Sequence, residues 1–202
     1  MSCRSQINTE QKTASFKTAL TALVTALTCS GGFIKIPLPM LDITLQSFFA
    51  CMAGLLLGKK LGPVSQALYM LMGLIGIPVF ARGGGITYVF QPSFGFILGF
   101  VLCSFICGVL RDKFFGSFGQ AKIKFGDYVK VFIICVAGII GLYLIGAPYM
   151  LMILRFHLNQ NALLSAAASL PMYLAGDFIS LIVLILAVPI FYKRVPSLLY
   201  LK

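Results

Sequence analysis

Of the 202 residues in this chain, 59% are hydrophobic and only 10% are charged, whereas a soluble domain carries about 25% charged residues. This composition excludes a soluble protein, and the length suits one compact membrane domain over residues 1–202. The net charge of +11 would suit nucleic acid, but the placement of the cations, given below, explains the excess without it.

Six apolar spans are predicted, in chain order, at about 16–34, 43–58, 63–77, 93–110, 128–146 and 172–192. A span of about 15 residues reaches only about 24 Å, against a hydrocarbon core of roughly 30 Å. Lys59 and Lys60 can snorkel from the second span, and irregular pieces beside a cavity can complete the others. We therefore predict an all-α membrane protein with six transmembrane helices.

The lysines and arginines are distributed unevenly about these spans. Thirteen of the sixteen fall in the N-terminus, the second and fourth loops with their flanks, and the C-terminus, whereas the opposite loops hold only Lys35, Arg82 and Arg155. The positive-inside rule then puts both termini in the cytoplasm of a cell whose cytoplasmic membrane holds the chain. Outward loops rich in Gly, Pro and amides indicate a binding site that faces outside.

The connection at 78–92, between the third and fourth spans, carries Arg82 followed by Gly83 and Gly84. Glycine permits a positive φ and close backbone approach, and an Arg beside an apolar pocket suits a carboxylate ligand. The alternative is an ordinary cation in an outward loop. We expect this connection to act as a lid over a cavity.

Asp177 is the only charged residue in the span at 172–192. A carboxylate at the centre of a membrane helix costs about 2.5–3.5 kcal/mol even on the most lenient scale. If Pro171 occupies the first turn of the helix, Asp177 lies in the outer half of the bundle. We predict that it faces a polar cavity and binds ligand; the alternative is a structural carboxylate bonded to loop amides.

Three uncharged side chains are further candidates for the pocket. Gln46 lies at the outer end of the second span, and its amide both donates and accepts, which suits a urea-like ligand; an interhelical hydrogen bond is the alternative. Tyr88 and Tyr173 can wall an apolar pocket, although aromatic residues are also common at membrane interfaces.

Ala14, Thr18, Ala22 and Ala26 are four residues apart on the first predicted helix. Small residues at this spacing let another helix approach closely, either inside the bundle or in a membrane partner.

The six cysteines are scattered singly along the chain. We expect them to be small buried residues, neither disulfide partners nor metal ligands.

The chain offers little for catalysis. It has one histidine, His157, and five acidic residues, and it contains no Ser-His-Asp set, no HExxH motif and no Walker motif. We therefore expect no enzyme activity and no bound cofactor, and active transport must draw its energy from elsewhere.

Several motifs together make the chain resemble the BioY family, the biotin-specific substrate-binding (S) components of energy-coupling-factor (ECF) transporters. They are IPLP and DITLQSFFACMAGLLLGKKLG within 36–62, PVSQALYMLMGLIGIPVFARGGG at 63–85, QPSFGFILGF at 91–100 and AGDFIS at 175–180. The resemblance implies a six-helix S-component bundle with an outward-facing pocket, and capture of biotin. It also implies a transmembrane coupling (T) protein and two ATPase subunits as partners, with Ala22 and Ala26 as the docking motif.

The chain departs from the family pattern near Asp177. The family usually has Pro-Gly-Asp followed three residues later by Lys, whereas Ala175 and Ser180 stand at the Pro and Lys positions here. We expect Ser180, like Gly83 and Gly84, to contact the ligand. Two arrangements are open: Arg82 supplies the positive charge, or Asp177 carries a proton in the empty site.

The leading hypothesis is uptake of biotin. Its ureido ring would bond to Asp177 and Gln46, and its carboxylate would face Arg82 or amides of the outward loops. One alternative is an S component for a different vitamin, such as riboflavin or thiamine. Another is a self-sufficient secondary carrier, which predicts internal repeats with broken helices.

Overall fold

The computed structural model describes the backbone of residues 3–37, 42–114, 125–156 and 162–194. The helices are α1 (Cys3–Gly31), α2 (Gln46–Leu74), α3 (Phe94–Phe114), α4 (Phe125–Phe156) and α5 (Ala162–Arg194). Two short strands, β1 (Lys35–Ile36) and β2 (Ile43–Thr44), and a 3₁₀ turn at Ile86–Phe90 complete the described elements. The loop at 115–124 and His157 lie outside the described residues.

Helix α2 is interrupted at Gly58, where φ is 76° and ψ is −173°. Glycine adopts this conformation readily because it has no Cβ. The predicted spans at 43–58 and 63–77 therefore form one element with a sharp bend, and Pro63 lies five residues after the bend. A count of six transmembrane helices stays a prediction, since the described ranges contain five helices, of which one is bent.

The helices extend beyond the apolar spans that the sequence predicts. Helix α1 begins at Cys3, so its helical backbone includes the polar residues that precede the apolar span. Helix α4 continues through Pro148 to Phe156. Proline has no N–H for the carbonyl four residues earlier, and membrane helices tolerate this because neighbouring groups can bond to that carbonyl. The prediction that the last helix begins near Pro171 is wrong: α5 begins at Ala162, so Asp177 lies about four turns along it.

Three helices, α2, α3 and α4, are long and apolar enough to cross a bilayer, and α5 contains a shorter apolar stretch at Tyr173–Val188. The strands, which an all-α class does not include, pair Lys35 with Thr44 and Ile36 with Ile43 in an antiparallel ribbon. This ribbon leads the chain into the first residue of α2.

Helix α3 lies at the centre of the bundle, packed on α2 along one side and on α4 along the other. Helix α5 packs on α4 and α2, and α1 packs chiefly on α2. The buried core contains apolar side chains of α2, α3 and α4, including Leu55, Phe100 and Leu142. One end of this core opens into a cavity beneath the ribbon and the 78–92 connection.

Candidate binding site

The cavity lies where the β1–β2 ribbon, the 78–92 connection and helices α2 to α5 meet. Its polar lining is Asp42, Thr44, Gln46, Ser47, Arg82, Ser93 and Asp177. Its apolar and aromatic lining includes Ile43, Tyr88, Phe96, Ile97, Phe100, Leu142, Tyr143 and Tyr173. About 80 Å³ is open to the centre of a water molecule, whereas one water needs about 10–15 Å³ on that measure. The cavity therefore has room for a small organic molecule.

Asp177 faces this cavity from α5 and is 9% exposed. The hydroxyl of Tyr143, on α4, donates a hydrogen bond of 2.8 Å to its Oδ2, and Ser47 of α2 lies beside the same carboxylate. None of the ion pairs in the described part of the chain includes Asp177. The site thus presents a buried carboxylate oriented by hydroxyl donors, which suits a ligand with N–H groups.

Gln46 is the first residue of α2 and is buried in the cavity wall. Its Nε2 donates to the Tyr69 hydroxyl and, at 3.5 Å, to the carbonyl of Val79. Thr44 donates to its Oε1 at 3.2 Å. The amide therefore joins the two ends of α2 across its bend, and α2 to the start of the 78–92 connection, and it also forms part of the cavity wall.

Arg82 is paired with Asp42 at the mouth of the cavity. Its Nη2 lies 3.0 Å from Oδ1 and its Nε 3.2 Å from Oδ2, which is a bidentate geometry. Lys35 approaches Oδ2 at 3.8 Å and donates to the carbonyl of Ala81. The hydrogen bonds to Asp42 raise the pKa of Arg82 above its ordinary value. These contacts join the β1–β2 ribbon to the 78–92 connection; we call the Arg82–Asp42 pair the mouth pair.

Two tyrosines line the cavity from different elements. Tyr88 accepts a hydrogen bond of 3.0 Å from Ser93 and packs against Phe80, with ring centroids 4.6 Å apart. Burial raises the pKa of Tyr88, so its ring and neutral hydroxyl form part of the wall. Tyr173 is buried on α5, one turn before Asp177.

Gly83, Gly84 and Ser180 are not in the cavity lining, although the sequence singles them out as ligand contacts. Gly83 has a φ of 116° and exchanges backbone hydrogen bonds with Phe80. A Cβ on Gly84 would lie 2.3 Å from the carbonyl oxygen of Ile77. Both glycines thus shape the connection, and the Ser180 hydroxyl bonds to the carbonyl of Gly176 in its own helix.

The small-residue stripe of α1 is exposed. Ala14, Thr18, Ala22 and Ala26 all face away from the bundle, whereas Thr25 on the opposite face bonds to the backbone of Ser65 in α2. Packing inside the bundle is therefore not the role of Ala22 and Ala26 in this structure.

Sequence reasoning missed Tyr143, Ser47 and Asp42. A tyrosine in the middle of an apolar span is a weak signal that would have drawn attention to Tyr143. Asp42, an acidic residue close to the first outward loop, would have indicated an ion pair with one of the outward cations. Neither signal identifies the partner, because Tyr143 and Asp177 are 34 residues apart and Asp42 and Arg82 are 40 apart.

Comparisons with known proteins agree on one family. A family model described as the BioY family matches residues 6–197. A probable biotin transporter BioY of Lysinibacillus sphaericus is 42% identical over 70% of this chain and 67% of that protein. A biotin transporter BioY of Rhizobium etli is 30% identical over 92% of this chain and 95% of that protein. A 2.1 Å crystal structure of the S-component for biotin from an ECF-type ABC transporter covers 92% of this chain and 93% of that chain, at 27% identity and a TM-score of 0.73.

Proposed function

Because the chain belongs to the BioY family, we propose that it binds biotin and takes it up across the cell membrane as the substrate-binding subunit of an ECF-type transporter. It is a multi-pass membrane protein and a transporter component, not an enzyme. Both termini lie in the cytoplasm in this proposal, and the cavity opens to the outside.

The observation that carries the proposal is the buried Asp177 carboxylate in a largely apolar cavity. The ureido N–H groups of biotin are donors that this carboxylate accepts, while Tyr143 continues to orient it. A hydrogen bond to a charged group contributes about 1.5–3 kcal/mol. The fused rings then lie against Phe96, Phe100 and Tyr173, where apolar burial contributes about 25 cal/mol per Å².

Gln46 supports the same wall. Its amide is held by Thr44, Tyr69 and Val79, so its geometry is determined before ligand arrives. We assign it to ordering the cavity wall as well as contacting the ligand.

The valerate carboxylate of biotin reaches the mouth of the cavity, where Arg82 lies. Arg82 takes the place of the family Lys in this proposal, because Ser180 is not in the cavity lining. The ligand carboxylate exchanges with Asp42 on the guanidinium, and Lys35, already 3.8 Å from Asp42, retains that carboxylate. The 78–92 connection is thereby a lid that closes on an anionic ligand.

The partners are a T protein and two ATPase subunits, since the chain contains no Walker motif to hydrolyse ATP. The exposed stripe through Ala22 and Ala26 is the surface on which a T-protein helix packs, because small residues allow close approach of backbones in lipid.

Calorimetry on the purified chain tests the proposal. We expect tight biotin binding that Asp177→Asn weakens about ten- to hundredfold, which corresponds to the loss of one charge-assisted bond. Asp127→Asn on α4 is a matched control, because Asp127 pairs with Lys130 away from the cavity. Unchanged affinity in Asp177→Asn would contradict the site.

Two further measurements separate the alternatives. Thermal stabilisation by biotin but not by riboflavin or thiamine favours biotin, because a ligand that binds only the native state raises the melting temperature. Uptake by the chain alone in liposomes, driven by an ion gradient, would instead favour a secondary carrier.

A further inference from the structure

Four cysteines converge inside the bundle, outside the cavity lining. Cys51 is on α2, Cys103 and Cys107 are on α3, and Cys135 is on α4. All four are buried, with exposed fractions of 2% for Cys51 and 0% for the others. The sequence reads them as isolated apolar residues, but three packed helices bring them together.

The sulfur atoms are close enough to share one ion. The Sγ atoms of Cys51, Cys103 and Cys107 lie within 4.8 Å of one another, and those of Cys51 and Cys103 are 3.4 Å apart. The Cys135 thiol contacts Cys51. With a metal–sulfur distance of about 2.3 Å, sulfurs around a trigonal or tetrahedral ion are about 4 Å apart, so shifts below about 1 Å complete the ligation.

The surrounding backbone accommodates these thiols. A Cβ on Gly138 of α4 would lie 2.4 Å from the Cys107 sulfur and 3.1 Å from the Cys103 sulfur. The missing side chain at Gly138 is therefore what lets two sulfurs of α3 point toward α4. Cys103 and Cys107 are one turn apart on α3 and Cys51 faces them from α2, which is a chelating arrangement.

We propose that Cys51, Cys103 and Cys107 form a buried site for one divalent thiophilic cation of the Zn²⁺ class, with Cys135 as a fourth sulfur. Thiolates select soft or borderline ions. Two of the sulfurs bind as thiolates and the others as neutral thiols, so the divalent ion and its ligands are together neutral, and two thiol protons pass to water. A third thiolate would leave a net negative charge, which an apolar interior disfavours.

The site lies one helical turn from the cavity. Ser47 precedes Cys51 by four residues on α2, and Phe100 precedes Cys103 by three on α3. A bound ion would tie α2 to α3 just beneath the cavity floor. Metal binding by these sulfurs does not depend on which ligand is transported, so it can be tested independently of the proposed function.

Cadmium titration of the purified, reduced and metal-free chain tests the site. We expect one Cd²⁺ per chain after desalting, a near-ultraviolet cadmium–thiolate absorption band, displacement by Zn²⁺ and a raised melting temperature. Folded wild-type chain that retains no Cd²⁺ would by itself overturn the proposal.

Variants locate the ion. Cys51→Ser and Cys103→Ser should each weaken Cd²⁺ binding at least tenfold, whereas Cys29→Ser, at a buried cysteine of α1, should leave it unchanged. Equal effects of Cys29→Ser and Cys51→Ser would refute a localised site.

A second pair of variants leaves every cysteine in place. Gly138→Ala places a methyl group against two of the sulfurs and should weaken binding, whereas Gly141→Ala meets the side chains of Ile106 and Leu102, neither of them a ligand, and should not. Circular dichroism reports whether each variant retains its helices. Cd²⁺ binding by folded Gly138→Ala that equals the wild type contradicts the proposed ligation by Cys107.

Discussion

The mouth pair leads to a prediction whose sign depends on the mechanism. If the carboxylate of biotin displaces Asp42 from Arg82, the Arg82–Asp42 pair stabilises only the empty protein, and Asp42→Asn removes that stabilisation. Affinity for biotin should then rise. If biotin leaves the Arg82–Asp42 pair intact and its carboxylate lies elsewhere, the same substitution should leave affinity unchanged.

The structure bounds the size of the effect. The pair is bidentate at 3.0 and 3.2 Å, and the Asp42 side chain is only 3% exposed, but the Arg82 side chain is 37% exposed. A bond to a charged group contributes about 1.5–3 kcal/mol when buried, and exposed pairs contribute about 0–1 kcal/mol. We take about 1 kcal/mol, which corresponds to about a fivefold rise in affinity for biotin.

The assay is calorimetry with biotin and with its uncharged carboxamide, on the wild type, Asp42→Asn and Arg82→Gln. The carboxamide has no charge to exchange with Asp42, so its affinity should stay within about twofold in both variants. Arg82→Gln removes the pair with Asp42 from the empty protein and the pair with biotin from the complex, so these losses largely offset and the affinity for biotin should change less than in Asp42→Asn. Weaker biotin binding in Asp42→Asn, or equal changes for the two ligands, would refute the exchange.

The remaining predictions concern Asp177, the docking stripe and the bend in α2. Tyr143→Phe removes the 2.8 Å bond to Asp177 and should weaken biotin binding less than Asp177→Ala does, by calorimetry; an effect as large as that of Asp177→Ala would mean that Tyr143 contacts the ligand itself. Ala22→Leu combined with Ala26→Leu should leave biotin binding by the isolated chain intact but abolish co-purification of a T protein, whereas Leu23→Ala, exposed but off the stripe, should do neither. Gly58→Ala should lower stability by about 1–3 kcal/mol because φ is 76° there, seen as a lower melting temperature, while Gly126→Ala, with open space around its Cβ position, should not.

Some of the site was predictable from isolated residues. Asp177 is a lone charge in an apolar stretch, and Arg82 is a rare cation among the outward loops, so each was identifiable without knowing its neighbours. Both line the cavity in the structure. Ser180 was singled out because it stands at the Lys position of the family pattern, and Gly83 because glycine permits close backbone approach, but neither lies in the cavity lining, since neighbours on a helix or in a turn point in different directions.

By itself, the sequence determined the membrane class, the family and the places where polar groups interrupt apolar runs. The membrane class follows from transfer free energies, which add residue by residue. The family and the polar interruptions follow from motifs of residues that are close together along the chain. Only the tertiary structure decided that Asp42 pairs with Arg82, that Tyr143 orients Asp177 and that cysteines of three helices meet beside Gly138. Such pairings depend on how each helix is rotated and how closely it packs, and that packing is a collective property of side chains far apart along the chain.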